Sequence, residues 1–179
     1  MLRIAIIIIT VLNLFTIAGF SQSIYQLSFQ DINGDTISMN RYAGKKTMII
    51  LVPFNQQDTA YKQLTVFKAR YADSIQIIGI VSHEDGFKAE QASVLSGIYR
   101  PIGLTLTKGM HTRKSAGNQQ SPLMQWLTDN TKNHRYNTDA AGPGHKFFIT
   151  ETGILYAVMS PPSSLQSPII NRIVHSNPQ

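Results

Sequence analysis

Two apolar runs fix more about this chain than any other feature of it. Thr47-Met48-Ile49-Ile50-Leu51-Val52 is apolar after its first residue and stops at Pro53. Ile75-Gln76-Ile77-Ile78-Gly79-Ile80-Val81 is interrupted only by Gln76 and Gly79. A strand that is apolar at successive positions must be covered on both faces, as central parallel strands are. Between the runs, Ala60, Leu64, Phe67 and Tyr71 fall at i, i+4, i+7 and i+11, one face of a helix, and Asp58 or Thr59 is placed to cap it. A strand, a helix and a strand in that order make a parallel pair joined by a right-handed crossover. The chain therefore folds as an α/β domain.

The flanking segments extend this plan. Ile24-Tyr25-Gln26-Leu27-Ser28-Phe29 alternates up to Asn33-Gly34, a hairpin turn signal, and Thr36-Ile37-Ser38-Met39 alternates back. The periodicity predicts a helix over 87–98, ended near Gly97, and a long polar loop over 103–120. Ser121-Pro122 opens a short helix, with Ser as cap and Pro at the first helical position. It carries Leu123, Met124, Trp126 and Leu127, a group expected to pack in the core. A second polar loop covers 129–144. Lys146-Phe147-Phe148-Ile149 and Ile154-Leu155-Tyr156-Ala157-Val158 form a second hairpin around Glu151-Thr152-Gly153. Ser167-Pro168 opens a last helix, with Ile169, Ile170, Ile173 and Val174 expected inward. The result is a thioredoxin-like fold: a central mixed β-sheet flanked by helices, with an N-terminal β-hairpin.

The segment ahead of this domain has the order of a secretory signal peptide. Met1-Leu2-Arg3 carries one positive charge, and 4–20 is apolar apart from Thr10, Asn13 and Thr16. Gly19-Phe20-Ser21 then puts small residues at −3 and −1 of a cut before Gln22. As a membrane anchor the run is short and has Asn13 at its middle. The expected division is a signal peptide over 1–21 and a single domain over 22–179. That domain is exported, periplasmic or secreted, with no stable membrane span after cleavage. The 179 residues contain no cysteine, which excludes disulfides, thiol catalysis and Cys-ligated metals. The formal charge of +6 permits contact with anionic partners without requiring it.

In this frame the residues resemble the glutathione peroxidase family over nearly the whole mature chain. Phe29-Gln30-Asp31-Ile32-Asn33-Gly34-Asp35 with Tyr42-Ala43-Gly44-Lys45 is similar to the family's first hairpin and its "Y-x-G-K". Ile77-Ile78-Gly79 matches its second strand, and Pro101-Ile102 its "F-P-I" stretch. Ser121-Pro122-Leu123-Met124-Gln125-Trp126-Leu127 resembles "H-P-L-Y-x-W-L", and Lys146-Phe147-Phe148-Ile149 with Gly153 resembles "K-F-L-V-D-x-x-G". The resemblance implies hydroperoxide reduction by a low-pKa thiol or selenol at the N-terminus of the first crossover helix, where backbone amides and the helix dipole stabilise the anion.

The positions that would carry that chemistry are all changed. Counted from Tyr42-Ala43-Gly44-Lys45, the segment Val52-Pro53-Phe54-Asn55-Gln56-Gln57-Asp58-Thr59 fills the family's "N-V-A-S-x-C-G-x-T". Gln56 takes the nucleophile's place, and a carboxamide has no ionisable thiol. Glu84, in Ser82-His83-Glu84-Asp85, stands where the family's supporting Gln is expected. Gly142 and Pro143 stand where its indole and amide are expected. The expected function is that of a binding or accessory protein without thiol peroxidase activity, with a small ligand or an envelope protein as partner. The alternative is an enzyme of thiol-independent chemistry in the same cleft. There Glu84 would be acid or base, its pKa raised by burial.

Other candidates carry less. Gln56 and Gln57 at a helix N-terminus could line an anion pocket, but polar residues before a helix are usual. His83, Glu84 and Asp85 lie past the end of a parallel strand, where α/β folds place sites, yet adjacent residues on an extended chain point to opposite sides. His111, His134 and His145 lack the spacing of a helix-borne metal site. No metal site and no cofactor are expected. Arg100, Lys108, Arg113, Lys114, Lys132, Arg135 and Lys146 outnumber Asp129 and Asp139 over 100–146. That permits weak polyanion contact through basic loops. With no recognition motif, and only Tyr136 and Trp126 as nearby aromatics, no specific nucleic acid is expected.

Overall fold

The structure, a computed structural model, describes residues 22–176 and 178. The signal peptide expected over 1–21 lies outside the described residues. Strand β1 (Ser28–Gln30) pairs antiparallel with β2 (Thr36–Ser38) as a separate two-stranded sheet. Residues Ile24–Gln26 form a 3-10 helix instead of the expected start of a strand, because the Ser23 hydroxyl accepts from Tyr25 N–H and turns the chain.

Next come β3 (Thr47–Leu51), α1 (Thr59–Tyr71) and β4 (Gln76–Ile80), the crossover unit read from the two apolar runs. β3 and β4 are parallel, with Met48 opposite Ile77 and Ile50 opposite Gly79. The remaining elements are α2 (Ala92–Tyr99), β5 (Thr105–Leu106), α3 (Pro122–Thr128), α4 (Asn130–Asn133), β6 (Lys146–Ile149), β7 (Leu155–Met159) and α5 (Pro168–His175). The main sheet runs β5-β4-β3-β6-β7, parallel across β5, β4 and β3 and antiparallel from β3 through β6 to β7.

The pleat divides the central strands between two cores. Ile49 and Leu51 of β3 join Phe147, Leu123, Trp126 and Leu127 on one face. Met48 and Ile50 join Leu64, Phe67, Leu95, Ile170 and Val174 on the other. Both faces of β3 are fully buried, so its apolar run is explained by α3 beneath and α1 and α5 above. Gly79 is required by packing: a Cβ there would lie 2.7 Å from Leu106 Cδ2 and 2.9 Å from Val52 Cγ1. Gly79→Ala is expected to lower the unfolding free energy by about 1–3 kcal/mol, as overpacked cores do. Urea denaturation checks it.

Several expectations are corrected. The helix predicted over 87–98 begins later, as a 3-10 turn at Ala89–Gln91 leading into α2, because Gln91 Oε1 accepts from Lys88 N–H and delays the α-helical start. It runs through Gly97 and closes at Gly103, which adopts a left-handed φ of 67°. The loop over 103–120 contains β5 and a 3-10 stretch at Lys114–Gln119. The loop over 129–144 contains α4, capped by Asp129 Oδ1 accepting from Thr131 N–H. In α5 the inward face is Ile170 and Val174, with the half-buried Ile173 packed against the same core. Ile169 is 43% exposed, one helical step of about 100° off that face. Ser167 makes no side-chain cap there, whereas Ser121 caps α3 as expected.

Two lysines point inward. Lys46, at the start of β3, donates to Val174 O at 2.8 Å and to Ser176 O, closing the C-terminus of α5. Lys146, 1% exposed, donates to Gly144 O at 2.7 Å, Ser163 O at 2.6 Å and Ser160 O at 3.4 Å.

Candidate functional site

The site is built where the chain leaves β4. An isolated bridge pairs Ser82 with Met110 in parallel, held by Met110 N–H to Val81 O at 3.0 Å and His83 N–H to Met110 O at 3.1 Å. Past this bridge the turn 83–86 packs against residues 111–113, and side chains of the two segments meet. The His83 and His111 rings lie 5.1 Å apart. Glu84 Oε2 accepts from Thr112 N–H at 2.9 Å and from the Thr112 hydroxyl at 3.0 Å. Asp85 Oδ1 accepts from Arg113 Nη2 at 3.1 Å. The segment is a turn and not extended chain, so the adjacent His83 and Glu84 both meet His111, while Asp85 takes Arg113.

Glu84 does not fit the acid or base role. Burial of the carboxyl works against its charge, but the Thr112 N–H, the His111 imidazole and the Thr112 hydroxyl outweigh it and bring the group down to about 2. The expected upward shift is reversed. Burial was the only influence visible in the sequence, and the donors come from a distant segment. An acid this strong holds no proton to give at neutral pH, and its conjugate carboxylate is a weak base. His111 Nδ1 lies 2.9 Å from Glu84 Oε1, and Ser82 Oγ lies 3.2 Å from Oε2.

Gln56 sits exposed on the turn before α1. Three of the amides that could stabilise an anion there are already taken. Asn55 Oδ1 accepts from Gln57 N–H at 3.0 Å and Asp58 N–H at 2.9 Å, and Asp58 Oδ1 accepts from Ala60 N–H at 2.7 Å. Asp58 also sets a carboxylate at the helix N-terminus, where a thiolate would have to form. Beside it a cleft is lined by Asp58, Thr59, Gln63, Pro143, Lys146 and Pro161. Burial pulls the Lys146 ammonium down to about 8, and its three carbonyl partners satisfy its donors.

The structure places Gly142 beside Asp85: a Cβ on Gly142 would lie 3.5 Å from Asp85 Oδ1, and its φ of 108° suits glycine. Pro143 instead faces the α1 cleft. So Glu84 and Gly142 belong to one neighbourhood, while Pro143 lies in the cleft beside α1.

The remaining candidates separate. His145 is 2% exposed, its ring stacks on Phe147, and Nδ1 accepts from Ala141 N–H at 3.2 Å. His134 caps α4 with a left-handed φ of 60°. No group of three or more His, Asp or Glu side chains suited to a metal is present among the described residues. Of the basic loop residues, Lys146 belongs to buried β6 and Arg113 pairs with Asp85, so neither is a free loop charge. Trp126 is core: 4% exposed, with its indole N–H donating to Gln22 O at 2.8 Å. Among the described residues no helix is long and apolar enough to cross a membrane. The pairing of His83 with His111 was missed, because the parallel register joining 82 to 110 is tertiary and leaves no periodic signal.

No protein-family model and no curated protein matches this sequence. Solved structures do match. Trgpx in its apo form superposes with a TM-score of 0.62 at 16% identity, covering 88% of this chain and 99% of its own. GPX1 of T. cruzi superposes with a TM-score of 0.64 at 14% identity, covering 86% and 95%. A thiol:disulfide interchange protein of the thioredoxin family from Chlorobium tepidum TLS superposes with a TM-score of 0.56 at 14% identity, covering 86% and 94%. The likeness is one of architecture: this chain has a thioredoxin-like fold, and its structural neighbours are glutathione peroxidase-like and thioredoxin-family proteins.

Proposed function

We propose that this is an exported binding or accessory protein that uses a glutathione peroxidase-like scaffold without its thiol chemistry. One observation carries the reading. In a chain without cysteine, the turn before α1 presents Gln56, and the Gln57, Asp58 and Ala60 amides beside it are bound to the Asn55 and Asp58 side chains. The chain lacks the nucleophile, and the place that would activate one is occupied. The leader read over 1–21 supports export. The strongly ionised Glu84 argues against acid–base chemistry in its place.

Purified protein is expected to consume no hydroperoxide above background with glutathione or reduced thioredoxin as donor. Turnover by the wild-type chain would overturn the reading. A Gln56→Cys variant is expected to react with iodoacetamide at neutral pH no faster than an ordinary exposed thiol, since the Gln57 and Asp58 amides are held by Asn55 and the Asp58 carboxylate opposes a thiolate nearby. Adding Asp58→Asn keeps the cap but removes the charge. At a few ångströms through solvent that charge is worth on the order of 1 kcal/mol, so the alkylation rate should rise about fivefold.

A further inference from the structure

We propose that His83 and His111 form a two-histidine site for a divalent transition-metal ion of the copper, nickel or zinc type, with water completing the coordination. The Ser82–Met110 bridge and the contacts of Glu84 and Asp85 with 111–113 set the two imidazoles side by side, with centroids 5.1 Å apart. Two imidazoles bound through nitrogens at about 2.1 Å to one tetrahedral ion have centroids roughly 5 Å apart. The observed centroid spacing matches this value.

The hydrogen bonds also choose the nitrogens. Glu84 is a carboxylate and accepts only, so His111 Nδ1 at 2.9 Å must carry the proton. Phe87 O also accepts only, and it lies 3.5 Å from His83 Nδ1, so this contact forms in the tautomer with the proton on Nδ1. In those tautomers the lone pair of each ring is on Nε2. Metal-binding histidines show this arrangement, with the far N–H held by a carboxylate or a backbone carbonyl. Both rings are open to solvent: His83 is exposed, and the His111 side chain is 41% exposed. Gly109 makes the arrangement fit, since a Cβ there would meet Phe87 at 2.3 Å and His83 Cε1 at 2.8 Å. Two imidazoles and no thiolate suit borderline ions over calcium or magnesium.

Cu2+ is the probe, because it heads the affinity order for nitrogen sites. Titration of the purified protein is expected to show one tight equivalent, with an electron paramagnetic resonance spectrum of two equatorial imidazole nitrogens. His83→Gln and His111→Gln should each weaken that equivalent at least about tenfold and remove one nitrogen from the spectrum. Glu84→Gln, which touches no metal, should weaken it about tenfold through the orientation of His111. His175→Gln, at an exposed histidine elsewhere, should change nothing. Thermal melts of each variant identify any that fail to fold. The spectrum of the wild-type complex tests the site without relying on them. Absence of a tight equivalent overturns the proposal. So does a tight equivalent that survives in the double histidine variant, or one lost with His111→Gln but unchanged in His83→Gln.

Discussion

Replacing Lys146 with methionine is expected to lower the unfolding free energy by about 3–4 kcal/mol, since each buried carbonyl left without a donor costs about 1–3 kcal/mol. The ammonium is 1% exposed and gathers Gly144 O, Ser163 O and, at longer range, Ser160 O. Methionine fills similar volume and supplies no donor, so the loss is one of hydrogen bonds and not of packing. Lys108→Met, at an exposed position, is the control and is expected to stay within about 0.5 kcal/mol of wild type. Urea denaturation of the pair separates a structural lysine from a surface one. A loss below about 1 kcal/mol for Lys146→Met would mean that water takes over the three carbonyls.

Acid is expected to destabilise the fold well before the carboxylates protonate. Burial pulls the His145 imidazole down to about 4, with the neighbouring Lys146 charge adding to the effect. In the unfolded chain it takes its proton near 6.5. Between those values the unfolded state binds the extra proton, so stability is complete above pH 6.5 and falls as the pH drops toward 4. The slope is about 1.4 kcal/mol per unit, or up to roughly 3 kcal/mol over the window. His145→Gln leaves an oxygen for the Ala141 N–H and removes the titration, so its stability should be nearly flat over that window. Glu84 acts in a lower one. Its contribution is present above pH 4.5 and is lost only as the pH falls from there toward 2. Denaturant midpoints measured at half-unit intervals of pH distinguish the two groups.

The scaffold was legible because β3 and β4 are long, apolar on both faces and separated by a helix with a clean stripe. Caps are written in local chemistry: Ser121 caps α3 as expected, and of the two candidates for α1 it is Asp58 that caps. β5 has two residues, too few for any period, and it was read as loop. That miss hid more, since the chain after β5 is what carries His111, Thr112 and Arg113 alongside 83–85. The environment of Glu84 could not be read for the same reason: its donors lie 27 and 28 residues away along the chain. Lys146 was counted with the basic loops although its own Phe-Phe-Ile run placed it on a strand. A charged residue opening an apolar run can be turned inward when carbonyl ends converge on it, and that convergence is tertiary.

Lys46 and Lys146 grip the segment 160–176 by its carbonyl oxygens, alongside the apolar contacts of Leu165, Ile170 and Val174. While that latch is closed, both amines are shielded from electrophiles, at 6% and 1% exposure. Opening the segment removes both carbonyl partners of Lys46 and two of the three of Lys146, so acylation of these two lysines would follow the latch and not the chain's basic surface.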